Sequence, residues 1–294
     1  MAHPELVIVG HLGLDATVDS EGRVATKFGG AGYFSGAGAA LVDSCHTAIV
    51  SRVGAKDKGP DIVKQLKDFG IDTTGIQIVE GGKTAYFKQK EDTRARRSKF
   101  KQEIGVSQDI STRGMPPGFE RARWFHLPTA PPQQLRQWIQ ELQEQGVHPA
   151  HISVDTFETY AKKYPELSKE VMHTVGLVFL NGTEFGVLKA HFGEDFFRRF
   201  PYVLKLDSQG AMYIDYTHNV EISMPAIPVH RVESTGAGEV LAGAFNAARV
   251  TGMSVTEALR LGVWAGSFSV TKSGVEHILK TNPIKFNVPN GKSK

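Results

Sequence analysis

The chain has 294 residues, a formal net charge of +3, 40% hydrophobic and 22% charged residues, and one cysteine. That length can bury a sizeable core in one large α/β domain or two small ones, and the single cysteine, Cys45, excludes an internal disulfide framework and suits a reducing cytoplasm, the expected location. The weak charge accommodates an anionic small molecule without arguing for nucleic acid, and no apolar run approaches the ~20 residues of a membrane span.

Residues 6–9, Leu-Val-Ile-Val, read as a buried strand ended by Gly10. Residues 11–28 are short and polar in pattern, with turn chemistry at Ser20-Glu21-Gly22, and predict a small hairpin leaving the main sheet. Gly29-Gly30-Ala31-Gly32 follows, where backbone can approach a ligand or a helix can pack tightly, and then a small-residue helix over 35–42. A strand over 47–53, an amphipathic helix over 59–69 and a short strand over 76–79 come next. The alternation over 84–90 and the basic segment after it predict a second hairpin outside the core, and 105–123, with Pro116-Pro117, reads as loop.

From Trp124 the rhythm is strand, helix, strand, helix: strands over 124–127, 152–155 and 177–180, helices over 132–145, 165–173 and 183–191. This alternation predicts a parallel sheet covered by helices on both faces. Strands over 202–206, 211–216 and 220–224 predict an antiparallel edge, and helices over 236–251 and 254–272 close the fold, the second with a Ser254 to Glu257 capping box. The tail after 280 is expected to fray, and no internal repeat or dividing linker is visible.

The chemistry concentrates in Glu233-Ser234-Thr235-Gly236-Ala237-Gly238-Glu239. A glycine-rich turn at a helix start leaves backbone N–H groups free, and the helix dipole adds to their attraction for an anion. A carboxylate, Glu239, stands at the edge of that cradle. An anion cradle beside a potential base suggests phosphoryl transfer to a hydroxyl, provided the rest of the chain supplies a nucleotide and an acceptor.

Taken in order, these motifs resemble those of the ribokinase-like (PfkB) family of carbohydrate and nucleoside kinases, over nearly the whole chain from Gly10 to about Gly274. The family's signature Asp-Thr-Thr-Gly-Ala-Gly-Asp is matched by residues 233–239 with both acids lengthened by one methylene. Its diglycine signature is matched by Gly29-Gly30-Ala31-Gly32, its strand-to-helix segment by residues 51–59, and its Asn-x-x-Glu motif by Asn181-Gly182-Thr183-Glu184. The resemblance implies one three-layer, Rossmann-like α/β domain over 1–280 with a mostly parallel sheet, a small β-lid built from about 12–28 and 83–101, and a tail over 281–294.

It also implies roles. Gly236, Ala237 and Gly238 would form the anion hole and Glu239 the base; Asp15, Gly29, Gly30 and Phe34 would line the acceptor site. Asn181 and Glu184 would organise magnesium and phosphate, with Glu184 the metal residue, and Lys205, Asp207 and Gly210 would contact nucleotide. The implied cofactors are ATP and Mg²⁺, with a monovalent cation near Glu233; the implied partner is a sugar or nucleoside, and a homodimer through the lid edges is an open expectation. The alternative is a catalytically impaired protein of the same fold that binds such a ligand in a regulatory or other role.

Four positions depart from the family pattern. Glu239 replaces an aspartate, Phe34 stands where many sugar kinases have an asparagine, Asp207 replaces a glycine of the nucleotide turn, and Val263-Trp264 lies where small or polar residues border the adenine. The extra methylene at Glu239 moves its carboxylate by roughly an ångström, a displacement that can cost on the order of a hundredfold in rate. The basic run Arg94, Arg96, Arg97, Lys99 and Lys101 reads as a solvated lid face, His148 and His151 as loop rather than metal site, and Asp155 as either cleft-lining or a turn residue at the sheet's carboxyl edge.

Overall fold

The computed structural model describes residues 3–18, 24–90 and 99–280. In chain order its strands are β1 (Leu6–Val9), β2 (Gly13–Val18), β3 (Val24–Gly29), β4 (Thr47–Gly54), β5 (Ile76–Val79), β6 (Ala85–Lys90), β7 (Lys99–Glu103), β8 (Trp124–Leu127), β9 (Ile152–Asp155), β10 (Leu177–Asn181), β11 (Tyr202–Lys205), β12 (Ala211–Asp215) and β13 (Val220–Met224). The helices are α1 (Ala31–Ala39), α2 (Gly59–Asp68), α3 (Pro132–Glu144), α4 (Glu158–Lys163), α5 (Pro165–Thr174), α6 (Gly182–Phe192), α7 (Ala237–Val250), α8 (Val255–Ser269) and α9 (Glu276–Lys280).

Nine strands form one sheet in the order β13-β12-β11-β10-β9-β8-β1-β4-β5. From β11 to β5 every pairing is parallel, while β12 and β13 turn back antiparallel at the edge. The central strand shows why: Leu6 and Ile8 face one apolar layer and Val7 and Val9 the other, all fully buried, as a strand sandwiched between two helical layers requires. Helices α1, α2, α7, α8 and α9 cover the first face, and α3, α4, α5 and α6 the second. This is the three-layer α/β architecture expected from the alternation. No helix among the described residues is long and apolar enough to cross a membrane.

A separate four-stranded sheet, β3-β2-β6-β7, stands outside this sandwich, with β2 pairing antiparallel to β3 and parallel to β6. Its attachment is specific. Asp57, before α2, accepts from the Thr84 and Gly59 N–H groups at 2.7 and 3.0 Å and from the Thr84 hydroxyl, so the start of β6 is tied to the end of β4. The turn at 20–22, Arg94, Arg96 and Arg97, and the tail over 281–294 lie outside the described residues, while Lys99 and Lys101 fall on β7.

Several elements differ from the sequence expectation. Helix α1 begins at Ala31 rather than at 35, because Gly30, at φ 88°, makes the turn that lets the helix start early. Eight of the nine α1 residues are buried, so packing rather than propensity holds this glycine-rich helix together. Gly38 and Gly243 account for the packing: a Cβ on the first would lie 2.1 Å from the Val240 carbonyl oxygen, and one on the second 1.9 Å from that of Ser35. Helices α1 and α7 therefore touch backbone to backbone. The loop over 105–123 contains two 3₁₀ turns, Gly105–Asp109 and Phe119–Arg121, and the short helices α4 and α9 carry too few turns to show a period. Helix α8 stops at Ser269, short of 272.

Candidate active site

The chemistry-bearing residues gather where the parallel strands end. Thr129 follows β8, Asp155 and Thr156 end and follow β9, Asn181 ends β10, and Lys205 ends β11. This is the carboxyl edge of an open α/β sheet, where helix N-termini and strand ends leave polar groups unpaired.

Helix α7 starts there. Gly236 is its N-cap in the left-handed conformation, φ 79°, and a Cβ at that position would lie 2.3 Å from the Phe34 ring. Both constraints require glycine. Among the described residues the Gly236 and Gly238 N–H groups have no hydrogen-bond partner, while the Ala237 N–H turns back to the Ser234 carbonyl at 3.3 Å. Glu239, on the first turn, accepts from the Thr129 hydroxyl at 3.2 Å. The longer acid is thus braced by a residue from β8's end.

Beneath the turn lies Lys205. Its Nζ donates to both Asp155 oxygens at 2.7 Å, and it lies 3.1 Å from where a Gly238 Cβ would be. Asp155 is fully buried. Burial alone would lower the Lys205 pKa, but Asp155, Glu184 and Glu239 together raise it above the ordinary lysine value, so the ammonium stays charged. Asp155 is pushed up by burial and by the Glu239 and Glu184 charges, against the pull of Lys205. Asp155 also accepts from the Thr156 N–H at 2.8 Å, so it pairs with Lys205 and holds the turn after β9 at once.

Glu184 is 2% exposed and fully engaged. One oxygen accepts from the Thr156 hydroxyl at 2.6 Å and the Asn181 N–H at 2.9 Å, the other from Asn181 Nδ2 at 2.8 Å. The Asn181 side chain in turn accepts from the Glu184 N–H at 3.0 Å, so the Asn-x-x-Glu motif is a capping box that starts α6. Burial raises the Glu184 pKa, partly offset by Lys205 and these hydrogen bonds. Among the described residues no group of three or more His, Cys, Asp and Glu is arranged to hold a metal ion. The oxygens of Glu184 suit a hydrated cation met through water, since Mg²⁺ keeps several waters and takes its remaining ligands from phosphate.

On the small sheet, Asp15 projects from β2 against Gly29, where a Cβ would lie 2.3 Å from its carboxyl carbon. Burial raises its pKa from 3.8 to about 7; Lys27 opposes this, Glu239 and Glu233 reinforce it, and the Gly30 N–H opposes it. Asp15 and Glu239 therefore sense each other's charge across the same space. Gly30 is excluded from carrying a side chain by the His11 carbonyl oxygen, 2.6 Å from its Cβ position. Phe34 is 4% exposed and packs under Gly236, so it supports the turn from below rather than forming an open wall.

Glu233 is held by the Lys27 ammonium from β3 and by the Ser273 hydroxyl at 2.8 Å. These bonds outweigh burial and lower its pKa. That carboxylate faces an ammonium rather than an open cation loop. Asp207 and Gly210 lie further along the turn after β11, Asp207 exposed and at φ 51°, Gly210 at φ 104° with a Cβ position only 2.0 Å from the Met224 carbonyl oxygen. Asp207 keeps a glycine's backbone conformation, which aspartate tolerates better than most residues. Trp264 stacks on Phe268 with ring centroids 5.2 Å apart.

Sequence reasoning missed Thr129, Thr156 and the Lys205–Asp155 pair. Strand-end position was the available signal for the first two; the pair joins residues fifty positions apart and is a product of strand order.

Comparison with known proteins agrees with this geometry. The model of the pfkB family carbohydrate kinases matches residues 177–282. The chain is 27% identical over 271 residues, 88% of its length and 93% of the relative's, to a cytidine kinase of Thermococcus kodakarensis. It is 40% identical over 78 residues, 26% of its length and 25% of the relative's, to a 1-phosphofructokinase of Haloferax volcanii. Its fold is similar to that of a Burkholderia thailandensis nucleoside kinase in complex with inosine (TM-score 0.77, 15% identity, 93% of this chain and 94% of that one). It is also similar to that of Arabidopsis thaliana ribokinase complexed with ribose and ATP (TM-score 0.74, 21% identity, 96% of this chain and 100% of that one). With its signatures seated at the carboxyl edge of this sheet, the chain is similar over residues 177–282 to the pfkB family carbohydrate kinases, and its fold is similar to that of nucleoside kinases and ribokinase.

Proposed function

We propose that the protein transfers the γ-phosphoryl group of ATP to a hydroxyl of a nucleoside or sugar, with cytidine the first acceptor to test. The observation that carries this reading is the juxtaposition at the start of α7. Two free N–H groups, a charged ammonium under Gly238 and a braced carboxylate share one short stretch, and an acceptor carboxyl, Asp15, is electrostatically coupled to it. Likeness to the cytidine kinase over most of both chains supports the acceptor class.

In this mechanism Asp15 accepts hydrogen bonds from acceptor hydroxyls, Gly29 and Gly30 lie against the acceptor, and Glu239 takes the proton from the attacking hydroxyl. Gly236 and Gly238 receive charge that spreads over the transferring oxygens, and Lys205 adds a fixed positive charge below them. Thr129 holds Glu239 in line, compensating for its extra methylene. Mg²⁺, carried with the nucleotide, supplies charge neutralisation when bound; Glu184 and Asn181 are the residues that would hold its hydration shell. Asp207 and Gly210 shape the nucleotide turn.

The test is ADP release over a panel of nucleosides and sugars, comparing wild type with Glu239→Ala. Turnover with at least one nucleoside is expected, reduced on the order of 10²–10⁴-fold in the variant. Equal turnover in the two proteins would remove Glu239 from the role of base, and no turnover with any acceptor would favour the ligand-binding alternative.

A further inference from the structure

At the opposite end of the sheet lies an open pocket of about 340 Å³ that the proposed phosphoryl transfer does not use. It lies where β8 and β10 begin and under the last two turns of α7, so the length of the strands separates it from the site above. Its volume is within the range of small-molecule sites, roughly 300–1,000 Å³.

The lining is chemically specific. Trp124 and His151 make one aromatic wall, centroids 6.3 Å apart, and Tyr213 and Phe245, stacked at 6.3 Å with planes 17° apart, make another. Two guanidinium groups stand at the mouth. Arg123 donates to the Val250 carbonyl at 3.1 Å and Arg249 to the Met253 carbonyl, so each is positioned by the end of α7 while most of its N–H groups stay free. Arg123 forms an ion pair with Glu5 at 3.5 Å on its solvent-exposed side chain; Arg249 has no acidic partner among the described residues.

Asn246 is one of the lining residues. Asn246 is 1% exposed, its Oδ1 accepts from the Ser153 hydroxyl at 3.3 Å, and its Nδ2 has no partner among the described residues. Aromatic walls and a rim of two guanidinium groups describe a receptor for a flat ring bearing one negative group.

We propose that this pocket is a second ligand site, for a small planar aromatic anion such as a mononucleotide or an aromatic carboxylate. The inference is independent of the phosphoryl-transfer reading, because none of its residues belongs to that machinery.

The experiment is titration calorimetry and tryptophan fluorescence of the full chain with cytidine 5′-monophosphate, 4-hydroxybenzoate and inorganic phosphate as separate probes. Wild type is compared with the rim variant Arg123→Gln/Arg249→Gln, both residues being solvent-facing, and with Trp124→Phe. At least one aromatic probe is expected to bind wild type saturably, and at least tenfold more weakly in the rim variant. The Trp124→Phe protein should lose the fluorescence change while still releasing heat. The nucleotide and carboxylate arms then tell the two sources of the anion apart. Equal affinity in wild type and rim variant, binding by phosphate as tight as by the aromatic probes, or no saturable binding by any probe would each overturn the proposal. Turnover in the absence of probe, where it is found, is expected to be unchanged in the rim variant, so loss of this site and loss of the kinase reading are separable.

Discussion

Asp15 is buried where an ionised carboxylate is expensive, and its pKa is raised to about 7. The charged form is the better acceptor for substrate hydroxyls, so kcat/KM is expected to rise between pH 6 and pH 8 with an apparent pKa near 7. A pH profile of Asp15→Asn should lack that limb. The same shift has a stability consequence with a definite sign. A carboxyl whose folded pKa exceeds its unfolded one favours the fold at low pH, and that contribution is lost as pH rises from about 4 through about 7. Thermal melting should therefore show Asp15→Asn gaining on wild type across this window and holding a constant advantage above it. Glu239 yields a different expectation. Since Thr129 braces the longer acid, Glu239→Asp should lose that hydrogen bond and slow turnover roughly 10- to 100-fold, as should Thr129→Val. A rise in kcat for Glu239→Asp, measured by ADP release, would show that the brace does not position the acid. Asp15 and Glu239 were both singled out in the sequence by the family resemblance. Thr129 was not, since a threonine after a strand has no sequence signature of its own.

Strand and helix alternation from Trp124 onward was legible because short apolar-rich segments alternate with longer ones, of which α3 and α5 show a buried stripe. The elements that escaped are those whose stability is tertiary. Helix α1 is glycine-rich and buried all round, so it has no stripe, and α4 and α9 have six and five residues. The turn after β11 shows how a departure in sequence leaves a conformation in place: Asp207 sits at φ 51°, where a glycine would rest without strain. Asp207→Gly is expected to hold or slightly raise the melting temperature and, by removing an exposed negative charge beside the nucleotide turn, to lower KM for ATP several-fold at low ionic strength. The KM gain should shrink with added salt, because the side chain is exposed and screened. A salt-independent change would assign the effect to backbone geometry instead.

At the scale of the molecule, the main sheet and the small sheet meet the site from two sides. The small sheet brings Asp15 and, through Lys27, grips Glu233 ahead of the anion turn. The three-layer order followed from the hydrophobic pattern, but the strand sequence β11-β10-β9-β8-β1-β4 decides which residues share the cleft, and no local pattern encodes it. That order is what brings Lys205 to Asp155 and Thr129 to Glu239. The backbone contact of α1 with α7 at Gly38 and Gly243 has a consequence for how such a protein changes over generations. It fuses the wall behind Gly29 and Gly30 to the helix that carries Gly236, so in the proposed reaction the span between acceptor and anion turn would be inherited as a fixed length. Selection can then reshape the small sheet and exchange one acceptor for another without retuning the reaction. Gly38→Ala or Gly243→Ala, which would force the two backbones apart, should lower kcat for every acceptor alike and leave the ratios of kcat/KM among acceptors unchanged. If a panel of acceptors instead reorders in these variants, the fused pair also takes part in choosing the substrate.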